Sequence, residues 1–398
     1  MSVNITNARI RVALTLLALV LFVLIPAGFR AVVQSAFADS SIVDSSVGVS
    51  SANVHIGVLG LFHPHEFTVS APAGSALLVR AGEERIVLEK SSGVGSANIR
   101  NGAGVISASE DGEVVVTAGH QVVRAPKVTI SSRENDPADF VLSIPQKITR
   151  HYRGTLEIKP ASGTLIAVVA MDQETAVASV VAAESTSDTP LEALKAQAVA
   201  ARSYLVASRG RHHEFDFCDT THCQFLREPP PPSTAAAVAS AATRGLVLAH
   251  DSHLIAAMYT RSCSGRTRTP AELGLSAGAY PYYSVECKHC RAHPVRWSSR
   301  ISAQDAATLH SSDESARLNI DRRLGWNAVP SNDFVVKTER DQSMHGQSMH
   351  DQIVVEGTGQ GHGIGLCQSG ARAMAEEGAD FRQILSHYYP NTTIVAAR

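Results

Sequence analysis

The chain has almost no net charge. Over 398 residues, 35 lysines and arginines face 37 aspartates and glutamates, leaving a formal charge of -2 and a pI near 6.8. Without a basic excess there is no electrostatic footing for nucleic acid. The N-terminal apolar run is also too short to span a bilayer. It extends from Val12 to Ile25, behind Arg9 and Arg11 and ahead of Pro26, where a span needs roughly 20 residues. Its length suits the apolar region of a signal peptide, and Ala36-Phe37-Ala38 supplies an A-x-A cleavage site. The distance from Ile25 to Ala38 is long for a standard signal, so an uncleaved anchor is the alternative. Residues 1–38 are therefore expected to export the rest of the chain, free or membrane-anchored. Membrane contact is expected only through that segment, and export removes ATP and nicotinamide chemistry from consideration.

What is present is ordinary in bulk and specific in places. The hydrophobic fraction of 44% is that of a globular protein. Residues 39–53 read as a Ser/Val-rich linker. From 54 to 144, short apolar runs (HIGVLGL, EFTVS, SALLVRA, ERIVLE, GEVVVTA, KVTIS) alternate with Gly, Asn and Asp turns, with no long amphipathic helix. This spacing predicts a β-rich module. No catalytic constellation falls within it, and His63 and His65 read as solvated loop histidines. Residues 145–398 mix helical and strand patterns, so the expected class is α+β.

The densest signal is VVAAESTSDTPLEALKAQAVAARSYLVAS, from Val180 to Ser208. Asp172 to Ala183 predicts a helix that ends beside Glu184. Thr189-Pro190-Leu191-Glu192 has the form of a capping box with proline at the first helical position. Leu191, Leu194, Ala198, Ala201 and Leu205 then define one apolar stripe, and Thr234 to Thr243 predicts a further helix. A carboxyl at a helix C-terminus meets the negative end of the dipole. Partial burial adds to that effect, so the pKa of Glu184 is expected to rise, as a general acid requires.

Further segments carry candidate chemistry. His212, Cys218, His222 and Cys223 lie in HHEFDFCDTTHCQ and are ligand types that zinc takes in a closed tetrahedral site. A Cys218–Cys223 disulfide is the competing reading for an exported chain. Ser262-Cys263-Ser264-Gly265-Arg266-Thr267 follows a predicted hairpin turning at Asp251-Ser252, and its small hydroxyls suit either hydrogen bonding to a hydroxylated ligand or an ordinary turn. Cys287-x-x-Cys290, flanked by His289 and His293, allows a zinc knuckle, a redox pair, a local disulfide or pairing with Cys263. No thioredoxin-like pattern surrounds it. QSMHGQSMH at 342–350 is a short duplication that reads as surface expansion. The glycine-rich run from Gly357 to Gly365 lacks the βαβ context of a dinucleotide loop. Its glycines are expected to let backbone approach an extended ligand, with His362 presented at the site.

Four segments, in order, resemble the SpoIID/LytB family of cell-wall proteins. They are EST..TPLEALKAQAVAARSYLVAS, the Cys/His segment at 212–224, TRGLVL…YTRSCSGRT at 243–267 and GTGQGHGIGLCQSGA at 357–371. Together they span roughly residues 145–395, and LGWNAVPSNDFVV resembles a later family segment. The resemblance implies a SpoIID-like domain of helices and short sheets, acting on peptidoglycan glycan strands as a lytic transglycosylase. Glu184 matches the catalytic glutamate. Gln197, Arg202, Ser264, Gly265, Thr267, His362, Gly363 and Gln368 are expected to bind or position the glycan. It further implies one structural zinc held by His212, Cys218, His222 and Cys223, with His213 as the substitute should His212 point away. A second group of relatives, the amidase enhancers, implies an alternative: a non-catalytic wall-binding partner of a cell-wall amidase. The chain departs from the family pattern at Ser185, where methionine is common, at Gln360, where an aromatic is common, and at Cys367-Gln368-Ser369-Gly370, in place of SQYGA. Asp188 and Asp219 are the nearest candidates for a second carboxylate, which hydrolysis would require.

Overall fold

The computed structural model describes residues 53–89, 102–134, 136–339 and 352–397. The expected signal or anchor, the linker up to residue 52 and the repeat at 342–350 lie outside the described residues. Short alternating runs produce β1 (Asn53–Val58), β2 (Glu66–Ser70), β3 (Ala76–Ala81), β4 (Glu84–Glu89), β5 (Ala103–Ala108), β6 (Val114–Ala118), β7 (Gln121–Ala125), β8 (Val128–Ser131) and β9 (Ala138–Ile144). Two longer strands follow, β10 (Ile148–Ala161) and β11 (Thr164–Asp172). Inward residues such as Phe67, Val79, Leu88, Ile106, Phe140 and Leu156 are fully buried, which is what period-two alternation requires of a sheet with one apolar face.

β10 joins the module to the rest. Its first half pairs with β9, from Ile148 opposite Ile144 to Gly154 opposite Ala138. Beyond Gly154 it pairs with β11 on one side and β8 on the other. A Cβ at Gly154 would collide with the carbonyl oxygen of Ala170, so glycine is what permits the change of partner. The boundary expected at residue 145 therefore falls inside one continuous sheet. That sheet takes in β12 (Phe217–Cys218), which runs parallel to β1.

Two helices cross beside it, α1 (Gln173–Glu184) and α2 (Leu191–Ala207). The expected capping box does not form at α2. Pro190 occupies the cap position without a side-chain bond. Thr189 Oγ1 is engaged with the N–H and hydroxyl of Thr186 at 3.2 and 3.1 Å. Glu192 is drawn instead to Lys195 Nζ at 2.5 Å and to the N–H of Phe381 at 2.9 Å. Nor is α2 amphipathic: from Ala193 to Leu205 nearly every position is buried, while Leu191 is exposed. Leu194, Ala198, Ala201 and Leu205 face the core under the sheet, and Ala196, Val199 and Ala200 face a second core. The many alanines allow packing on both sides.

α3 (Ala235–Ala242) adds Ala236 and Ala239 to the first core, and the second core is built on α2 by residues from Leu248 onward. It includes a hairpin of β13 (Leu246–His250) and β14 (His253–Leu254), with Asp251 and Ser252 in left-handed conformations at φ 47° and 65°, as the expected turn requires. β15 (Tyr259–Thr260), α4 (Lys288–Ala292) and β16 (Arg296–Ile301) follow. After α5 (Ala303–Thr308) and α6 (Glu314–Leu324), β17 (Asp333–Glu339) and β18 (Gln352–Thr358) complete a three-stranded sheet around β18. β19 (Leu366–Cys367) runs parallel to β15, and α7 (Gln368–Glu376), α8 (Phe381–Tyr388) and β20 (Thr393–Ala396) close the chain, β20 pairing with β13. The architecture is α+β, with a β-rich N-terminal part, as expected. Among the described residues, no helix is long and apolar enough to cross a membrane.

Candidate active site

Glu184 is the last residue of α1, whose first turn is fixed by Asp172 accepting the Thr175 N–H at 3.0 Å. Its Oε1 accepts the Phe225 N–H at 3.1 Å, and its backbone carbonyl accepts Gln368 Nε2 at 3.3 Å. Burial raises its pKa above the ordinary 4.5. The Phe225 hydrogen bond and the charge of Arg261 oppose that rise without cancelling it. The direction is the one expected, with burial as the leading cause.

Glu184, Arg261 and Gln368 are shared by two adjoining recesses. The smaller, about 140 Å³, adds Gln197, Ser369 and Arg372. The larger, about 750 Å³, is bounded by Tyr259, Tyr282, Trp326 and His362 among others. Gln197 is 3% exposed, yet neither atom of its side-chain amide has a partner among the described residues. The buried hydroxyl of Tyr259 is in the same position. An unpaired buried polar group costs about 1–3 kcal/mol. Two of them around one carboxyl leave donor and acceptor positions for solvent or a ligand to fill.

His362 lines the larger recess. Burial lowers its pKa, against the pull of Glu314 and a hydrogen bond to the Tyr259 backbone, and so favours the neutral ring. Its Nδ1 accepts the Ile364 N–H at 3.0 Å, which places the ring proton on Nε2. The glycines beside it have a different cause from the one expected. Gly361 and Gly365 take φ of 96° and 70°, where a Cβ would strike Thr260 Oγ1 and the Met258 carbonyl oxygen respectively. They let this loop pack on residues 258–264.

Several expected glycan contacts lie away from both recesses. Arg202 is fully buried. Its Nε and Nη2 hold the Glu174 carboxylate at 2.8 and 2.7 Å, and further bonds reach the carbonyls of Ser240 and Leu246 at 3.1 Å. It ties α1, α2, α3 and β13 together. Thr267 is also fully buried, donating to the Tyr283 carbonyl at 3.2 Å and accepting the Val285 N–H at 2.9 Å. Ser264 Oγ donates to the Thr358 carbonyl at 2.9 Å, Gly265 packs on the backbone of Arg291, and Gly363 N–H donates to Thr260 Oγ1 at 3.1 Å. These residues shape the walls from behind.

The candidate second carboxylates are engaged elsewhere. Asp188 is exposed and paired with Arg372 at 2.8 Å, whose hydrogen bond holds its pKa at about 2. Asp219 is buried and accepts the Tyr152 hydroxyl at 3.0 Å. The other carboxylates of the larger recess, Glu314 and Asp321, are held by Arg317 at 2.6 and 2.8 Å. Sequence reasoning missed Tyr259, Arg261 and Trp326. The first two directly precede the Ser262-Cys263 segment, and Trp326 lies within LGWNAVPSNDFVV, so the segments were legible and the individual side chains were not.

His212, Cys218, His222 and Cys223 do converge, their ligand atoms all lying within 4.8 Å of one another. His212 Nε2 is 3.3 Å from Cys223 Sγ, and His222 Nδ1 is 3.7 and 3.6 Å from the two sulfurs. Tetrahedral zinc with bonds of about 2.0–2.3 Å sets ligand atoms about 3.3–3.8 Å apart, so these residues fit the ion. His213 points away, 94% exposed, and pairs with Glu214. The loop runs on through Gln224, whose Nε2 donates to the Ala201 carbonyl at 3.3 Å, to Phe225 and its bond with Glu184.

The candidate site is thus a carboxyl of raised pKa at the end of α1, set against a buried α2 and bordered by a Cys/His loop and a glycine-rich turn. Residues 161–250 match the family described as SpoIID, stage II sporulation protein. Over 277 residues it is 28% identical to an uncharacterized protein of Brachyspira hyodysenteriae, covering 61% of this chain and 72% of that one. Over 274 residues it is 26% identical to a protein named Amidase enhancer in Bacillus subtilis, covering 52% of this chain and 38% of the relative.

Proposed function

We propose that the protein is an exported cell-wall enzyme that cleaves peptidoglycan glycan strands by lytic transglycosylation, with Glu184 as its single acid/base. A role at the cell wall is supported by the SpoIID match and by the relative named Amidase enhancer. The observation that carries the catalytic reading is the surroundings of Glu184: a carboxyl raised by burial, bordered by the Gln197 amide and Tyr259 hydroxyl, neither with a partner among the described residues. Protonated Glu184 gives its proton to the glycosidic oxygen as the bond from that oxygen to the anomeric carbon breaks. The substrate's C6 hydroxyl then attacks the anomeric carbon and returns a proton to Glu184. The product is a 1,6-anhydro-muramyl end, and no water is consumed. One carboxyl suffices, in keeping with the engagement of Asp188, Asp219 and Glu314 by other partners. Hydrolysis by inversion would use a second carboxylate to activate water. Neutral His362 serves as a hydrogen-bond donor through Nε2, Arg261 offsets developing negative charge, and Trp326, 41% exposed, offers a face for a sugar ring.

The Cys/His loop belongs to the same proposal. His212, Cys218, His222 and Cys223 supply four ligands and leave no open position, so zinc there is structural. It would hold the loop that brings the Phe225 N–H to Glu184.

Glu184→Gln tests the assignment. Glutamine keeps size and hydrogen bonding but cannot cycle a proton, so the variant should bind purified glycan like the parent and turn over ~10²–10⁴-fold more slowly. Equal turnover would refute Glu184 as the acid/base. The second reading, a wall-binding enhancer of an amidase, is favoured by the Bacillus subtilis relative's name and by the non-aromatic Gln360. It predicts a parent that binds glycan, leaves it intact and raises the rate of an added cell-wall amidase.

A further inference from the structure

The four cysteines outside the Cys/His loop come together as well. Cys263, Cys287, Cys290 and Cys367 are buried, and their Sγ atoms all lie within 4.8 Å of one another. The Cys290 and Cys367 sulfurs are 3.5 Å apart. In a tetrahedral zinc tetrathiolate, bonds of about 2.3 Å place every pair of sulfurs about 3.8 Å apart. A disulfide, by contrast, brings two sulfurs to about 2.05 Å, and all four cysteines here are free. Donors already surround the sulfurs. The N–H groups of Cys263 and Gly370 reach Cys367 Sγ at 3.3 and 3.4 Å, the Tyr388 hydroxyl reaches Cys287 Sγ at 3.6 Å, and Ser262 Oγ lies 3.4 Å from Cys290 Sγ. Such bonds offset thiolate charge in a buried site. Gly370 permits the approach, since a Cβ there would meet the Tyr388 hydroxyl and come within 2.6 Å of Cys287 Sγ.

We propose that Cys263, Cys287, Cys290 and Cys367 bind a second structural zinc ion in a closed tetrathiolate site. On binding, four thiols lose their protons to solvent and four Zn–S bonds form, with no change of oxidation state. A tetrathiolate set also suits a single iron. Complete enclosure leaves no exposed edge for electron exchange, which favours redox-inert zinc. The ion pins three distant stretches at the rim of the cleft: Cys263 follows Arg261 by two residues, Cys287 and Cys290 bracket the start of α4, and Cys367 precedes Gln368, the residue bonded to Glu184.

Elemental analysis of the full chain tests this without reference to activity. Cys287→Ser/Cys290→Ser should contain one equivalent of zinc less than the parent. In His212→Ala/Cys223→Ser, X-ray absorption at the zinc edge should show a shell of sulfur alone. If the first variant fails to fold, the parent still decides: under native conditions these four thiols should resist alkylation until a chelator is added, then all react. Zinc content unchanged in the Cys287/Cys290 variant, iron in place of zinc, disulfides among these cysteines in non-reduced peptide maps, or alkylation of the native parent would each overturn the proposal.

Discussion

At Glu184 the balance is between burial and two opposing contacts. Burial raises the carboxyl pKa above 4.5, and the Phe225 N–H with Arg261 limits the rise. Below that ordinary value both folded and unfolded chains are protonated and the residue has no effect on stability. As pH climbs through 4.5 the unfolded chain ionises first, so stability is lost until the folded carboxyl ionises too. Glu184→Gln removes this loss. Its melting temperature should match the parent's under acid conditions and exceed it near pH 7 by about 1–3 °C, as calorimetry across pH would record. Tyr259 makes the complementary case. Tyr259→Phe deletes a buried hydroxyl that has no partner among the described residues, so melting should hold steady or rise. Glycan affinity should fall about five- to tenfold, the loss of one hydrogen bond of ~1 kcal/mol or slightly more. Glu184 was legible in sequence because a helix ended beside it. Tyr259 was not, because its strand is placed by pairing with the distant β19, Tyr259 opposite Leu366.

At the scale of the element, α2 shows where local pattern gives way to tertiary contact. Spacing alone identified the helix, but Thr189 and Glu192 found stronger partners than each other, so no capping box formed. Arg202 was expected at the glycan because it sits in the most family-like stretch. Its bidentate bond to Glu174 shows why that stretch is distinctive: it locks α1 to α2 and so sets where Glu184 stands. Arg202→Ala leaves the largely buried Glu174 carboxylate without its ion-pair partner, holding only the Gly245 N–H at 3.3 Å, and should cost roughly 3 kcal/mol of stability in chemical denaturation. Glycan binding per folded molecule should be retained. The Cys263–Cys367 contact spans 104 residues of sequence. No spacing rule could read it, whereas His212 to Cys223 lie within one loop and were legible as a set.

Across the whole molecule, the β-rich part and the part that matches the SpoIID model share one sheet. The strand pattern of residues 54–144 was legible, but the expected boundary at 145 was not, because β10 pairs with β9 and β8 as well as β11. A chain beginning at residue 145 would expose the β10 edge and half of the larger core. It should be insoluble when expressed alone, and a soluble, cooperatively melting product would contradict this view of the fold. The central claim concerns the reaction itself. Mass spectrometry of purified glycan strands after incubation with the parent protein tests it most directly. The account predicts fragments bearing 1,6-anhydro ends whose masses sum to that of the starting strand, with nothing gained from solvent. Fragments one water heavier per cleavage would mean hydrolysis, and strands bound but left intact would mean that the cleft does not cut.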